Sequence, residues 1–163
     1  MLSEAFPNAS IVVPFRAPAA QAMSLWQQHR RFCSPEHDSG FTRRYMGWLA
    51  HHEFGPGHRP FVFGGSKPLG DPDEDLEYWM ELWIAAYSFI LKQAPDRTLF
   101  VSYDRLCRDT DQVWPRLCAA LNLPPSEAQE ALRAPAPAAQ VKADPRIMAK
   151  AEALHSELLT RAL

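Results

Sequence analysis

The chain has 163 residues, a length for one domain, 1–163, on the usual range of roughly 100–200 residues. Hydrophobic residues make up 47% and charged ones 22%, which excludes a disordered tail or a fibre. Lys and Arg total 17 against 19 Asp and Glu, a net charge of -2, so nothing global draws the chain to nucleic acid or to an anionic membrane, and any anion site is local.

Cys33, Cys107 and Cys118 are an odd number with no CxxC pair, the pattern of neither a disulfide framework nor a zinc knuckle, and a reducing cytoplasm suits them. Met1–Ser10 has no basic stretch leading into an apolar run, and no segment approaches 18 uninterrupted apolar residues. Neither an export signal nor a membrane span is therefore expected. The 15 prolines are spread as punctuation between elements instead of forming a linker.

In chain order, Ser10–Phe15 (SIVVPF) reads as a short buried strand, rich in β-branched and aromatic residues. Pro18 suits the first turn of a helix, and Ala19–Arg31 holds strong helix formers. A further helix is expected over Phe41–His52. From Glu53 to Asp75 the chain carries five glycines and four prolines and reads as an irregular surface segment. Such segments cover functional sites or are merely tolerated, and both readings stand.

Leu76, Trp79, Met80, Trp83, Tyr87, Ile90 and Leu91 recur at helical spacing, with Asp73, Glu74 and Asp75 at the positive end, so 74–93 is an amphipathic helix. Its Trp79–Trp83–Tyr87 stripe is core before it is a ligand platform. Thr98–Tyr103 (TLFVSY) is a second strand, followed by a helix over Thr110–Leu121, a break at Pro124-Pro125, a short helix near Ser126–Arg133, an extended connector and a last helix over Pro145–Arg161. Two apolar strands separated by helical material predict an α/β fold, helix-rich, with a small parallel sheet.

Arg16 follows the first strand at its C-terminal end, where α/β folds place ligands, and Ser24 lies eight residues on. A helix rises roughly 9 Å from Pro18 to Ser24, which the long Arg16 side chain spans, so both reach one anion. Arg offers a planar fork of donors suited to phosphate and Ser one more donor. The plain alternative is a surface Arg at a strand end and an ordinary helix Ser.

FPNASIVVPFRAPAAQAMSL resembles the strand, turn and helix with which the sulfotransferase family holds the 3'-phosphate of its sulfate donor, Arg and Ser having the same spacing. TLFVSYDRLCRDTDQVWPRLCAALNLP is similar to that family's next strand, its Tyr-acidic-x-Leu turn and a helix ending in Leu-x-Leu-Pro. The resemblance implies a P-loop-kinase-like three-layer sandwich that binds 3'-phosphoadenosine 5'-phosphosulfate (PAPS) and transfers its sulfuryl group to a hydroxyl or amine acceptor, without a metal. It implies Arg16 and Ser24 at the 3'-phosphate, Tyr103 on the adenosine side, and Lys142 where the family has a basic, phosphate-contacting loop.

Two departures bear on activity. Ala17 and Ala20 stand where the family's turn often carries acidic residues. Nothing upstream of Ser10 matches the Gly/Ser/Thr-rich loop whose backbone N–H groups cradle the 5'-phosphosulfate, so the resemblance is to the C-terminal portion of the family fold and implies a truncated one, the family's usual general base lying in the part without a counterpart.

Sulfuryl transfer needs a carboxylate or imidazole to take the acceptor proton. His51, His52 and Glu53 are the local candidates, equally readable as a solvated face or packed corner, and no base is assigned. His37, His51, His52, His58 and Cys33 fall in one region but lack HExxH or paired-cysteine spacing, so no metal site is expected. The competing function is a non-catalytic nucleotide-binding or interaction module, with a second copy or a partner chain covering an open sheet edge beside Ser10–Phe15. Acceptor chemistry, set by loops such as 53–72, is not legible.

Overall fold

The structure is a computed structural model and describes residues 2–34, 39–63, 68, 70–124 and 143–163. Its elements run α1 (Leu2–Ala5), β1 (Val12–Phe15), α2 (Pro18–Cys33), α3 (Gly40–Trp48), α4 (Leu76–Gln93), β2 (Leu99–Ser102), α5 (Tyr103–Arg108), α6 (Thr110–Ala120) and α7 (Pro145–Arg161). The chain is helix-rich around a two-stranded parallel sheet, the expected α/β class. The helix expected near Ser126–Arg133 lies outside the described residues.

β1 and β2 pair with Val13 opposite Phe100 and Phe15 opposite Ser102. Side chains alternate across a strand, so Val13, Phe15 and Phe100 share one face, and that face enters the main core with Ala22 of α2, Trp79, Met80 and Trp83 of α4, and Ala151 and Leu158 of α7. The opposite face offers Leu99 and Val101 to Val113 and Leu117 of α6. Helices therefore lie on both faces of the strand pair.

The first strand is less buried than its sequence suggests: of its four residues only Phe15 is fully buried, and Val12 is 37% exposed. Ile11 O accepts from Leu99 N on the β2 side, so by alternation the polar groups of Val12 and Pro14 point to the other edge. Pro14 has no N–H to offer there, and its carbonyl accepts from Tyr87 Oη at 2.9 Å. The edge is open among the described residues yet blunted, the device by which proline protects an exposed strand. On the far edge of β2, Leu163 N donates to Phe100 O, and the C-terminal residues close that side.

Helix ends follow local chemistry. Pro145 opens α7 behind Asp144, whose side chain accepts from Arg146 N at 2.7 Å. α3 stops at Trp48, short of the expected His52, because Ala50 turns left-handed at φ 54 and His51 N bonds back to Met46 O. α5 was not legible as a helix. Ser102 ends β2 and at once caps α5, its hydroxyl accepting from Arg105 N, so Tyr103 begins a helix instead of ending a strand.

Candidate functional site

The C-terminal ends of the two parallel strands meet where open α/β folds hold ligands. Arg16 leaves β1 and Tyr103 leaves β2, and the Arg16 guanidinium lies over the Tyr103 ring, 5.6 Å from its centroid. Asp104 Oδ2 accepts the backbone N–H of Ala17 at 2.7 Å, tying the turn after β1 to the start of α5. Gln21, one turn into α2, reaches back so that its Oε1 accepts from Arg16 N at 3.3 Å and from Trp83 Nε1 at 3.1 Å. Tyr87 Oη stands 3.4 Å from the same oxygen, while its stronger bond goes to Pro14 O.

This scaffold fixes the Arg16 backbone and leaves its head group underused. Arg16 Nε is buried and has no hydrogen-bond partner among the described residues. An unmade bond on a buried charged donor costs free energy, and an anionic oxygen would satisfy it. At the adjacent end of α2, Ala17 provides no side-chain cap and the first turn has no acidic residue, and the Asp104 carboxylate on Ala17 N is the acidic group set against that end.

Beneath the strand ends lies His155 of α7, with its ring edge-on to Phe15 at 5.8 Å and to Trp83 at 6.4 Å. Its Nε2 is also buried without a partner among the described residues. Burial holds its pKa below the ordinary histidine value, against the pull of Asp104 and with the push of Arg105. Tyr103 titrates above the ordinary phenol value, chiefly through its hydrogen bond with Cys107 and that thiol's charge, so a neutral ring faces Arg16.

Of the four residues the resemblance singles out, the structure brings Arg16 and Tyr103 together. Ser24 sits almost two turns into α2, exposed, and no hydrogen bond joins it to Arg16. Lys142 lies outside the described residues. Asp104, Gln21 and His155 went unread. His155 had a signal, because it falls on the apolar stripe of α7 with Ala151, Leu154 and Leu158.

The histidines gather elsewhere. His29, 1% exposed, lies eleven residues beyond Pro18, about 16 Å along α2 from the strand ends. Its Nδ1 accepts from Gly55 N at 3.2 Å, and its Nε2 is 3.1 Å from Asp73 Oδ1 and 3.5 Å from Cys33 Sγ. His58 packs against it, with Nδ1 on His52 O and Nε2 accepting from Tyr78 Oη at 2.8 Å. Burial lowers the pKa of both histidines. His51 and Glu53 pair at 3.1 Å on the surface of the same region and His52 O bonds His58 there, so His51, His52 and Glu53 lie with the histidines and not at the strand ends.

His29, Cys33 and Asp73 offer three ligand atoms within 4.8 Å of one another. The sequence pointed to Cys33 but not to His29, its partner at i,i+4. The cluster does not suit a metal. Gly55 N–H occupies Nδ1, which leaves the imidazole proton on Nε2, the atom a metal would need bare. His29 is instead a neutral bridge, pinning the 53–57 loop and the 71–75 turn to α2.

Comparison with family models, with curated proteins and with solved structures gives no match to this chain.

Proposed function

We propose that this chain is a sulfotransferase-like protein that binds PAPS at the ends of its two strands, within a sandwich of P-loop-kinase type. The observation that carries the reading is Arg16: a guanidinium stacked on Tyr103, with Nε buried and unpartnered among the described residues. These residues fit the donor's 3'-phosphate. The reading assigns Tyr103 to the adenosine side and asks Ser24, exposed almost two turns into α2, for one further hydroxyl. The 5'-phosphosulfate is assigned to none of the described residues.

In the reaction so proposed, the sulfur–oxygen bond to the donor's 5'-phosphate breaks as a new bond forms from sulfur to the acceptor oxygen or nitrogen, and the acceptor proton leaves to a base. His51, His52 and Glu53 are set apart from this step by their position toward the far end of α2. The alternative of a non-catalytic module docked through the β1 edge has less support, since Pro14 and Tyr87 blunt that edge.

Calorimetry with 3'-phosphoadenosine 5'-phosphate, against adenosine 5'-monophosphate as the ligand without the 3' group, tests the reading. Arg16→Gln is expected to weaken only the former, by about 1.5–3 kcal/mol for one charge-assisted contact. Equal affinity for the two nucleotides in the unaltered protein would reject it.

A further inference from the structure

A cavity of about 750 Å³ lies on the outer side of α4, away from the strand ends. Trp83 and Tyr87 face the sheet from one side of that helix, while Leu82, Ala85 and Phe89 form a second apolar stripe about half a turn round and line the cavity. Phe63 closes on Phe89 with ring centroids 4.9 Å apart, and Phe61, 71% exposed, forms an aromatic lip. α7 supplies the opposite wall through Ile147. The volume suits a small molecule and the floor is apolar.

The charged groups around the cavity are unequal in sign. Lys92, Arg146 and Lys150 line it against the single carboxylate of Glu81. No ion pair joins any of the three cations to another described residue. Two of them lie in the first six residues of α7, whose N-terminal end is already met by two carboxylates, Asp144 on Arg146 N and Glu77 Oε1 on Asp144 N at 2.6 Å, so the cations themselves and not the helix end supply the positive charge. Asp144 caps that end and is occupied with Arg146 N.

We propose that this cavity is a binding site for a single-chain anionic amphiphile, its hydrocarbon or aromatic body against Leu82, Ala85 and Phe89 and its carboxylate, sulfate or phosphate head among Lys92, Arg146 and Lys150. The site is separate from the nucleotide site and stands whether or not that reading holds.

The test is calorimetry of the full chain with decanoate, 1-decanol and decyltrimethylammonium, each below its aggregation concentration. Decanoate is expected to bind at least tenfold tighter than the alcohol, and the ammonium weakest. Ala85→Trp, which fills the floor, should abolish decanoate binding. The triple variant Lys92→Gln, Arg146→Gln, Lys150→Gln, all on the surface, should bring decanoate down to the affinity of the alcohol. Equal binding of acid and alcohol by the unaltered protein overturns the proposal. So does sedimentation with anionic vesicles in place of decanoate binding, which makes the face a membrane contact, or a concentration-dependent dimer that decanoate does not dissociate, which makes it a protein interface.

Discussion

The carboxylate of Asp104 and the backbone N–H of Ala17 meet at 2.7 Å, joining two turns that are 87 residues apart in sequence. One side chain thereby sets how the ends of β1 and β2 face each other, and so the position of Arg16 over Tyr103. Asp104→Ala removes a hydrogen bond to a charged acceptor and should lower stability by about 1.5–3 kcal/mol in urea denaturation. It should also weaken 3'-phosphoadenosine 5'-phosphate binding although Asp104 has the wrong charge to hold a phosphate. Asp104→Asn keeps an acceptor oxygen and should recover part of both losses; tighter nucleotide binding in either variant would show that Asp104 merely repels the ligand.

His29, His58 and His155 all have folded pKa values below the ordinary 6.5, burial being the largest cause in each. In the unfolded chain they take up protons near 6.5, whereas the folded protein resists until lower pH. Between those values the unfolded state binds more protons, so stability falls as pH drops below about 6.5 and is fully present above it. Denaturation midpoints measured from about pH 7.5 down to 5.5 should decline, and His155→Gln should shallow the decline. A flat profile over that range would refute the assignment of buried neutral histidines.

Much of this fold was legible where local chemistry decides. The Asp144-Pro145 start of α7 follows from a cap and a proline, and the turn at Arg16-Ala17-Pro18 from a strand run meeting a first-turn proline. What could not be read is what joins distant segments. His29 meets Asp73 across 44 positions and Gln21 meets Trp83 across 62, and no spacing rule reports either. The second apolar stripe of α4 was present in the sequence but hidden, since Leu76, Trp79, Trp83 and Tyr87 already account for a core-facing side and Leu82, Ala85 and Phe89 look like excess. Arg16 itself was legible by position. Its unpartnered Nε was not, because burial of that atom depends on packing across the two strand ends, the Tyr103 ring included.

The hydrogen bond from Gly55 N to His29 Nδ1 fixes a tautomer, and His58 should hold the opposite one, since His52 O takes its Nδ1 proton and Tyr78 donates to Nε2. Long-range nitrogen–proton NMR of the imidazoles at neutral pH should show His29 protonated at Nε2 and His58 at Nδ1. With its proton there, His29 presents no lone pair to the space shared with Cys33 and Asp73, so zinc should not raise the thermal midpoint. A zinc-dependent rise that Cys33→Ser removes would mean that the bond to Gly55 gives way to a metal.

Gln21 Oε1 collects donors from Arg16 N and Trp83 Nε1 on one oxygen, and Trp83 is 2% exposed. Gln21→Met is close in volume and removes the acceptor, leaving an indole N–H in the core without a partner. The cost of stranding such a group is about 1–3 kcal/mol, a large part of the stability of a domain this size. The loss should be accompanied by a change in tryptophan emission, because the indole environment changes with its hydrogen bond. Gln21→Glu retains the acceptor oxygens and strengthens the bond to Trp83, while putting a negative charge beside Arg16. The two variants therefore separate structure from function: Gln21→Met should reduce stability more than nucleotide affinity, and Gln21→Glu should reduce nucleotide affinity more than stability, by competing with the phosphate for the guanidinium. Equal stability loss in both variants would mean that the side-chain amide's own protons, rather than its oxygen, hold the strand end in place.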